Sequence, residues 1–253
     1  MTAVPSIHSQ VSAEEWALRV DLAACYRLIA LHGWDDLVFT HVSARVPGSE
    51  DHFLINAYGL LFEEMTASSL VKVDLDGNKV MDTDYVINPA GFTIHSAVHS
   101  ARHDAGCVLH THTKAGVAVS TLAEGLQPIS QISLFPYSTL AYHDYEGIAL
   151  NEAEKPRLVA DLGDKRALIL RNHGLLTLGN TVPDAFVMMY ALETACQVQL
   201  MAQSTGSDII PVPQPIVAGI QAQVEQVTKG LGGDLVWPGL LRKLDRVDAS
   251  FRD

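Results

Sequence analysis

The sequence predicts a layered α/β domain, because strand-type and helix-type patterns are interleaved along one chain of 253 residues. Hydrophobic residues make up 48% of the chain, which is enough for one sizeable core and marginal for two. We therefore treat residues 1–253 as a single domain, with residues 205–253 as a C-terminal arm and tail. Prolines 211, 213 and 215 predict an extended arm at 209–215, which we expect to pack on a neighbouring subunit.

Apolar residues at helical spacing predict the longer helices. A helix over residues 12–32 begins with a capping box of Ser12 and Glu15 and stops at Gly33. A second long helix opens at Pro183 and runs to Gln203. Shorter helices are expected at 93–102, 113–122 and 152–162, and residues 237–246 form an amphipathic tail.

Short apolar or alternating runs predict the strands. They lie at 39–46, 52–56, 70–75, 107–112, 167–171 and 175–178, and Asp76-Gly77 marks a hairpin turn after the third. The segment AYHDYEGI, residues 141–148, has the composition of a loop.

Charge and cysteine content exclude several classes of protein. The formal net charge is −12, so the basic surface needed for nucleic acid is absent and an anionic membrane would repel the chain. No uninterrupted apolar run reaches about 18 residues, so no transmembrane helix is expected. The N-terminus does not show a basic segment followed by an apolar one, so we do not expect secretion. The cysteines Cys25, Cys107 and Cys196 lie far apart in apolar segments. We therefore expect reduced core thiols and a cytoplasmic protein.

Three histidines are the main candidates for a functional site. His110 and His112 end a predicted strand and share one of its faces, because alternate strand residues point the same way. His173 follows another apolar strand and precedes Gly174. Three imidazoles would give an open divalent-metal site. A His-x-His pair also arises by chance in a chain with 11 histidines, so structural histidines fit the pattern equally.

A second group of histidines, His95, His99 and His103, shares one helix face at a spacing of four. No carboxylate completes a ligand set there, so we expect a solvated or interfacial face for His99 and His103. His95 differs because it is the nearest to the turn at residues 88–91.

The stretch from Trp16 to Ser204 resembles the class II aldolase/adducin family. The blocks that carry the resemblance are HVSAR, INAYGLLFEEMTASSLVKVD, NPAGFTIHSAVHSAR, VLHTHTKAGVAVS, AYHDYEGI and LILRNHGLLTLG, and the tail LLRKLDR is similar to the adducin-like branch. The resemblance implies a three-layer α/β/α sandwich around a mixed, largely antiparallel sheet. It also implies a homotetramer with sites between subunits, and Zn²⁺, alternatively Mn²⁺ or another divalent ion, held by His110, His112 and His173.

The chain departs from the sugar-phosphate aldolases of that family at two places. Their catalytic glutamate is matched by Gly91, and their phosphate-binding serines by Pro89 and Ala90. The Gly-Asn of their phosphate loop is matched by Thr40-His41. Glycine cannot move a proton, so a sugar-phosphate aldolase is not the expected activity.

The predicted function is a metal-dependent lyase, a decarboxylase or an aldolase, acting on a small non-phosphorylated oxo- or hydroxy-acid. Loss of carbon dioxide needs no base, which favours decarboxylation; aldol chemistry would need a proton relay. Candidates for that relay are His41, His95, Tyr142, His143 and Tyr145, whose alternative role is structural hydrogen bonding.

Predicted substrate contacts lie in short turns and at one arginine. Asn56 and Gly59 form one turn, Asn88 and Gly91 another, and Arg171 suits a substrate carboxylate if it does not pair with a surface acid. The alternative to an enzyme is a non-catalytic, adducin-like binding protein, because adducin shares the fold.

Overall fold

The computed structural model describes residues 6–228 and 232–253. The strands are β1 His41–Arg45, β2 His52–Ile55, β3 Val71–Asp74, β4 Cys107–Thr111, β5 Leu140–His143, β6 Ala167–Leu170 and β7 Gly174–Gly179. The helices are α1 Ala13–Leu31, α2 Pro89–Ala101, α3 Lys114–Ser120, α4 Gln131–Tyr137, α5 Lys155–Leu162, α6 Val182–Ser204, α7 Gln214–Thr228 and α8 Trp237–Val247.

The strands form one mixed sheet in the order β3-β2-β1-β4-β7-β6-β5. Neighbouring strands run antiparallel except β5 and β6, which are parallel. Strand β4 lies at the centre, between β1 and β7, so residues distant in sequence meet at its end.

Helices cover both faces of this sheet. Successive side chains of a strand point to opposite faces, and the central strands are buried on both. On β4, Cys107 and Leu109 join a core with residues of α1, α6 and α8. Val108 between them joins a second core with residues of α2 and α5. The fold is therefore the expected three-layer α/β/α sandwich around a largely antiparallel sheet.

Helix α1 begins as predicted, with half of the expected capping box. The Ser12 hydroxyl accepts a hydrogen bond from the Glu15 backbone N–H at 3.1 Å. The Glu15 carboxylate turns instead to Arg19 and Lys72, at 3.0 and 2.8 Å. Arg19 is fully buried, so this ion pair satisfies a charge that would otherwise be costly.

Four elements differ from the sequence prediction. Helix α2 begins at Pro89 and not at Thr93, so Gly91 lies in its first turn and not in the predicted turn at 88–91. Residues 141–143 of the predicted loop belong to β5, a half-buried edge strand. Helix α4 was not predicted, since it is short and contains Pro136. Helix α7 begins at Gln214 inside the predicted arm, because Pro215 falls in its first turn, where proline is tolerated.

Helix α6 is the one described helix long and apolar enough to cross a membrane by length and composition. No such helix was expected from the apolar runs. Half of its apolar window is buried, and it packs on β7, α3 and α4. These contacts are those of a core helix.

The cysteines have the predicted structural character. Cys25, Cys107 and Cys196 are buried and unbonded to one another. Burial raises the pKa of each thiol, so none is poised as a thiolate.

Candidate metal centre

The structure brings His110, His112 and His173 together at one end of the central strands. Their candidate ligand nitrogens all lie within 4.8 Å of one another. The Nε2 atoms of His110 and His112 are 2.9 Å apart. His110 is fully buried, whereas His112 and His173 are partly exposed.

The antiparallel pairing of β4 with β7 produces this convergence. Thr111 pairs with Leu175, so the β6–β7 turn that carries His173 returns beside the end of β4. Asn172 has a left-handed backbone (φ 57°) in that turn. A Cβ on Gly174 would lie 2.4 Å from the Thr111 carbonyl oxygen, so the close approach requires glycine.

Hydrogen bonds fix the proton positions on two of the rings. The Nδ1 atom of His110 lies 2.9 Å from the Leu175 carbonyl oxygen, and Nδ1 of His112 lies 2.9 Å from a carboxylate oxygen of Asp36. Because both oxygens accept, each neutral ring holds its proton on Nδ1 and presents a lone pair at Nε2. Two lone pairs 2.9 Å apart repel one another unless a cation lies against both, so the donor set fits a metal ion.

The protonation of the rings supports the same fit. Burial lowers the pKa of His110 well below its usual value, and burial and His112 together lower the pKa of His173 to about 4. Both rings are therefore neutral near pH 7, which is the form that binds metals.

A cavity of about 730 Å³ opens beside the histidines. His112 and His173 line it together with Trp34, Lys114 and Glu193. The volume lies within the range of small-molecule sites in proteins.

His41 occupies the space above Gly91. A Cβ on Gly91 would lie 2.3 Å from Cδ2 and 2.6 Å from Nε2 of the His41 ring, far closer than packed atoms approach. The His41 ring is also 5.0 Å, centre to centre, from the ring of His110. An imidazole thus fills the volume that a side chain at position 91 would need.

A buried chain of hydrogen bonds leads away from His41. Its Nδ1 lies 2.8 Å from Nε2 of His95, whose Nδ1 is 2.5 Å from the Ser43 hydroxyl. The same hydroxyl is 2.7 Å from Nε2 of His99. Burial lowers the pKa of His95 well below its usual value and that of His99 to about 3. Ser43 was missed, although it shares a strand face with His41 in HVSAR.

The expectation of a solvated or interfacial His99 is wrong. His99 is 1% exposed, because this face of α2 packs on β1, and its ring stacks on Phe53 at 4.8 Å. His103 is exposed, as predicted.

Arg171 and Tyr142 contact each other and not the cavity. The Arg171 guanidinium lies 4.2 Å from the centre of the Tyr142 ring and donates to the Leu122 carbonyl at 2.7 Å. Strand β6 ends at Leu170, so the alternation expected to place Arg171 beside His173 stops short of it.

Of the remaining predicted residues, Tyr145 lines the cavity, with its ring centre 6.3 Å from that of His173, and the others lie away from the lining. His143 is buried, and its Nδ1 lies 2.7 Å from Asp161. Asn56 is buried and accepts from the Tyr26 hydroxyl at 3.0 Å. Asn88 caps α2 through the Ala90 N–H, and Gly59 adopts a positive φ of 106° in its turn.

Asp36 was missed by sequence reasoning, since it lies in a loop with no periodic signal. We expect Asp36→Ala to weaken divalent-metal binding by about 10–100-fold, because His112 loses the acceptor that orients its ring. Isothermal titration with Zn²⁺ measures this loss. Asp35→Ala removes a neighbouring carboxylate of the same cavity and is the matched control. Equal affinities for both variants would contradict the orienting role.

Comparison with known proteins gives the family. Residues 20–200 match the family described as Class II Aldolase and Adducin N-terminal domain, so the chain belongs to this family. It is 61% identical to a Pseudomonas aeruginosa protein named, on a provisional basis, as a class 2 aldolase, over 100% of both chains. It is 47% identical to mouse alpha-adducin over 79% of this chain and 28% of that protein.

The chain is also similar to a solved structure whose name states an enzymatic activity. The L-fuculose 1-phosphate aldolase from Glaciozyma antarctica PI12 superimposes with a TM-score of 0.81 at 30% identity. The match covers 98% of this chain and 97% of that chain.

Proposed function

We propose that this protein is a divalent-metal-dependent carbon–carbon lyase acting on a small, non-phosphorylated oxo- or hydroxy-acid. One observation carries the proposal: three histidines converge their ring nitrogens beside a cavity of about 730 Å³. Similarity to an aldolase over nearly the whole chain supports the reaction class.

In this proposal His110, His112 and His173 hold Zn²⁺, alternatively Mn²⁺ or another divalent ion. Such an ion supplies Lewis-acid stabilisation of the negative charge that develops when a carbon–carbon bond breaks. The Leu175 carbonyl and the Asp36 carboxylate orient two of the three rings.

We place decarboxylation ahead of aldol cleavage. Gly91 carries no proton-transferring group, and the space above it is filled by His41. If a proton is moved, His41 is the proposed carrier, with His95 hydrogen bonded behind it at 2.8 Å. Tyr142 and His143 are weaker candidates, because they bond Leu126 and Asp161, whereas the His41 ring lies 5.0 Å from the ring of His110.

The charge of the cavity supports a substrate without phosphate. Among the described lining residues Lys114 is the sole lysine or arginine, against the carboxyl groups of Asp35, Asp36 and Glu193. A single lysine does not form the cluster of cationic side chains that a dianionic phosphate favours. Arg171, engaged with Leu122 and Tyr142, would have to leave those contacts to bind a carboxylate, so Lys114 is the better candidate.

The experiment is a screen of keto- and hydroxy-acids with protein reconstituted with Zn²⁺ or Mn²⁺. Release of carbon dioxide and release of aldehyde are scored together, which separates the two reactions. We expect turnover of a non-phosphorylated acid that disappears in chelator and returns with metal. Turnover of sugar phosphates alone would contradict the proposed substrate class.

Membership of the family supports an oligomer, and the composition supports the location proposed here. We propose a homotetramer in the cytoplasm, without nucleic-acid or membrane partners. Sedimentation velocity of the purified protein tests the subunit number.

The second candidate is a non-catalytic binding protein, favoured by the 47% identity to alpha-adducin. Elemental analysis of protein purified without chelator separates the two. A stoichiometric divalent ion supports the enzyme, and its absence supports the binding protein.

A further inference from the structure

Glu193 is a buried carboxylate in the apolar middle of α6. It is 2% exposed, and Leu192, Ala195 and Cys196 around it are buried. Burial raises the pKa of this carboxyl, while hydrogen bonds from Thr113 and Gln197 act in the opposite sense. A buried carboxylate costs free energy unless it is fully hydrogen bonded, so its place in a core helix calls for a specific role.

The contacts of Glu193 lead directly to the histidine cluster. The Thr113 hydroxyl donates to its Oε2, and the Gln197 amide donates to its Oε1 at 2.9 Å. Thr113 in turn accepts from the Gly116 N–H at 3.1 Å and caps α3. Thr113 is the residue that follows His112.

His112 is therefore held from two directions. Its ring is oriented by Asp36 at 2.9 Å. Its backbone has already left β4, which ends at Thr111, so no strand pairing fixes it. The bond between Glu193 and Thr113 ties this segment to helix α6 immediately after His112, and the Thr111 hydroxyl contacts the Met189 sulfur of the same helix at 3.4 Å on the other side.

We propose that Glu193 is a positioning residue of the metal centre, which acts through Thr113 to aim Nε2 of His112 at the point shared with His110 and His173. This inference rests on the proposed metal-binding function. It adds a residue from a helix that contributes no ligand, and it makes the metal affinity depend on the packing of α6.

The test measures binding of Co²⁺ alone, by competition with a chelating dye and by the visible absorption of the bound ion. We expect Glu193→Ala to bind Co²⁺ about 10–100-fold more weakly, the loss typical of outer-shell partners, with an altered spectrum. Glu193→Gln should keep most of the affinity, because an amide oxygen still accepts from Thr113 and Gln197 can reverse its amide.

A control on the same helix separates positioning from general destabilisation. Gln199 is fully buried and bonds Gly125 and Gln127, outside the cavity lining. Gln199→Ala removes a buried polar group of α6 and should leave the Co²⁺ affinity and spectrum unchanged.

A second pair of variants tests the route through Thr113. Thr113→Val should weaken Co²⁺ binding as Glu193→Ala does, and Thr113→Ser, which keeps the hydroxyl, should restore it. Thr113→Val also removes the cap of α3, so the double variant Glu193→Ala/Thr113→Val should lose no more affinity than Thr113→Val alone, in which the bond to Glu193 is already absent. If Glu193→Ala does not fold, Glu193→Leu takes its place, because leucine keeps most of the side-chain volume but accepts no hydrogen bond from Thr113.

The outcomes distinguish failure of the role proposed for Glu193 from failure of the proposed metal-binding function. Wild-type affinity and spectrum in Glu193→Ala, or in Thr113→Val, overturn the role of Glu193 and leave the metal site intact. An equal loss in Gln199→Ala also overturns it. Failure of the wild-type protein to bind Co²⁺ at all removes the proposed function together with this inference.

Discussion

Replacement of His112 by alanine is expected to lower divalent-metal affinity by more than about 100-fold, beyond the 10–100-fold loss seen for outer-shell partners. Two imidazoles remain in this variant, and the lone pair that faces His110 at 2.9 Å is gone. The fold should survive, because the His112 side chain is 22% exposed and lies beyond the end of β4.

Elemental analysis of purified His112→Ala measures the loss of metal, and circular dichroism checks that the fold is retained. His103→Ala is the control, since His103 is exposed and lies outside the cluster. Metal retained at full stoichiometry by a folded His112→Ala protein would show that the assigned ligands are wrong.

Substitution of Gly91 by alanine is expected to destabilise the protein, although alanine is the better helix former. In a helix interior alanine is favoured over glycine by about 1 kcal/mol. Here the added methyl group would lie 2.3 Å from the His41 ring, and overpacking of this kind costs about 1–3 kcal/mol or more. The free-energy cost of the steric clash should therefore exceed the gain from the higher helix propensity of alanine.

The clash makes the two positions interdependent. His41→Ala alone opens a cavity and breaks the 2.8 Å contact with His95. In the double variant Gly91→Ala/His41→Ala the methyl group has room, so its cost should vanish and the free energies of unfolding should not add. Urea denaturation of the four proteins measures the coupling. Additive effects, or a Gly91→Ala protein more stable than wild type, would contradict the packing of His41 on Gly91.

The histidine cluster was accessible from sequence because its signal is local. His110 and His112 alternate at the end of an apolar run, and a period of two is the signature of a strand. Convergence with His173 was not local, and only the family resemblance favoured it over structural histidines. The same resemblance supplied the three-layer architecture, since the pattern alone gave only a layered α/β domain.

The partners of these histidines were not accessible, because they depend on tertiary contacts. His99 and Ser43 are 56 positions apart in the chain, and a spacing of four fits a buried helix face as well as a solvated one. His41 above Gly91 follows from the packing of α2 on β1. Glu193 was hidden in a helix whose apolar neighbours indicated only core.

The sequence prediction missed the short elements for a different reason. Strand β5 has four residues, three of them partly exposed, so alternation over it carries little information. Helix α4 contains Pro136 and helix α7 contains Pro215, so both lie where composition favours an irregular segment.

The central position of β4 in the sheet has a consequence for how the chain reaches its native state. Both neighbours of β4 are distant in sequence, so the loop-closure entropy of two long segments opposes formation of the sheet centre. The three histidines converge only after that closure, and an ion bound by them would select the native ensemble over the unfolded one. At a free ion concentration of about 100 times Kd this selection amounts to about 2.7 kcal/mol. Metal supply in the cell would then govern the survival of this protein against proteolysis as well as its chemistry.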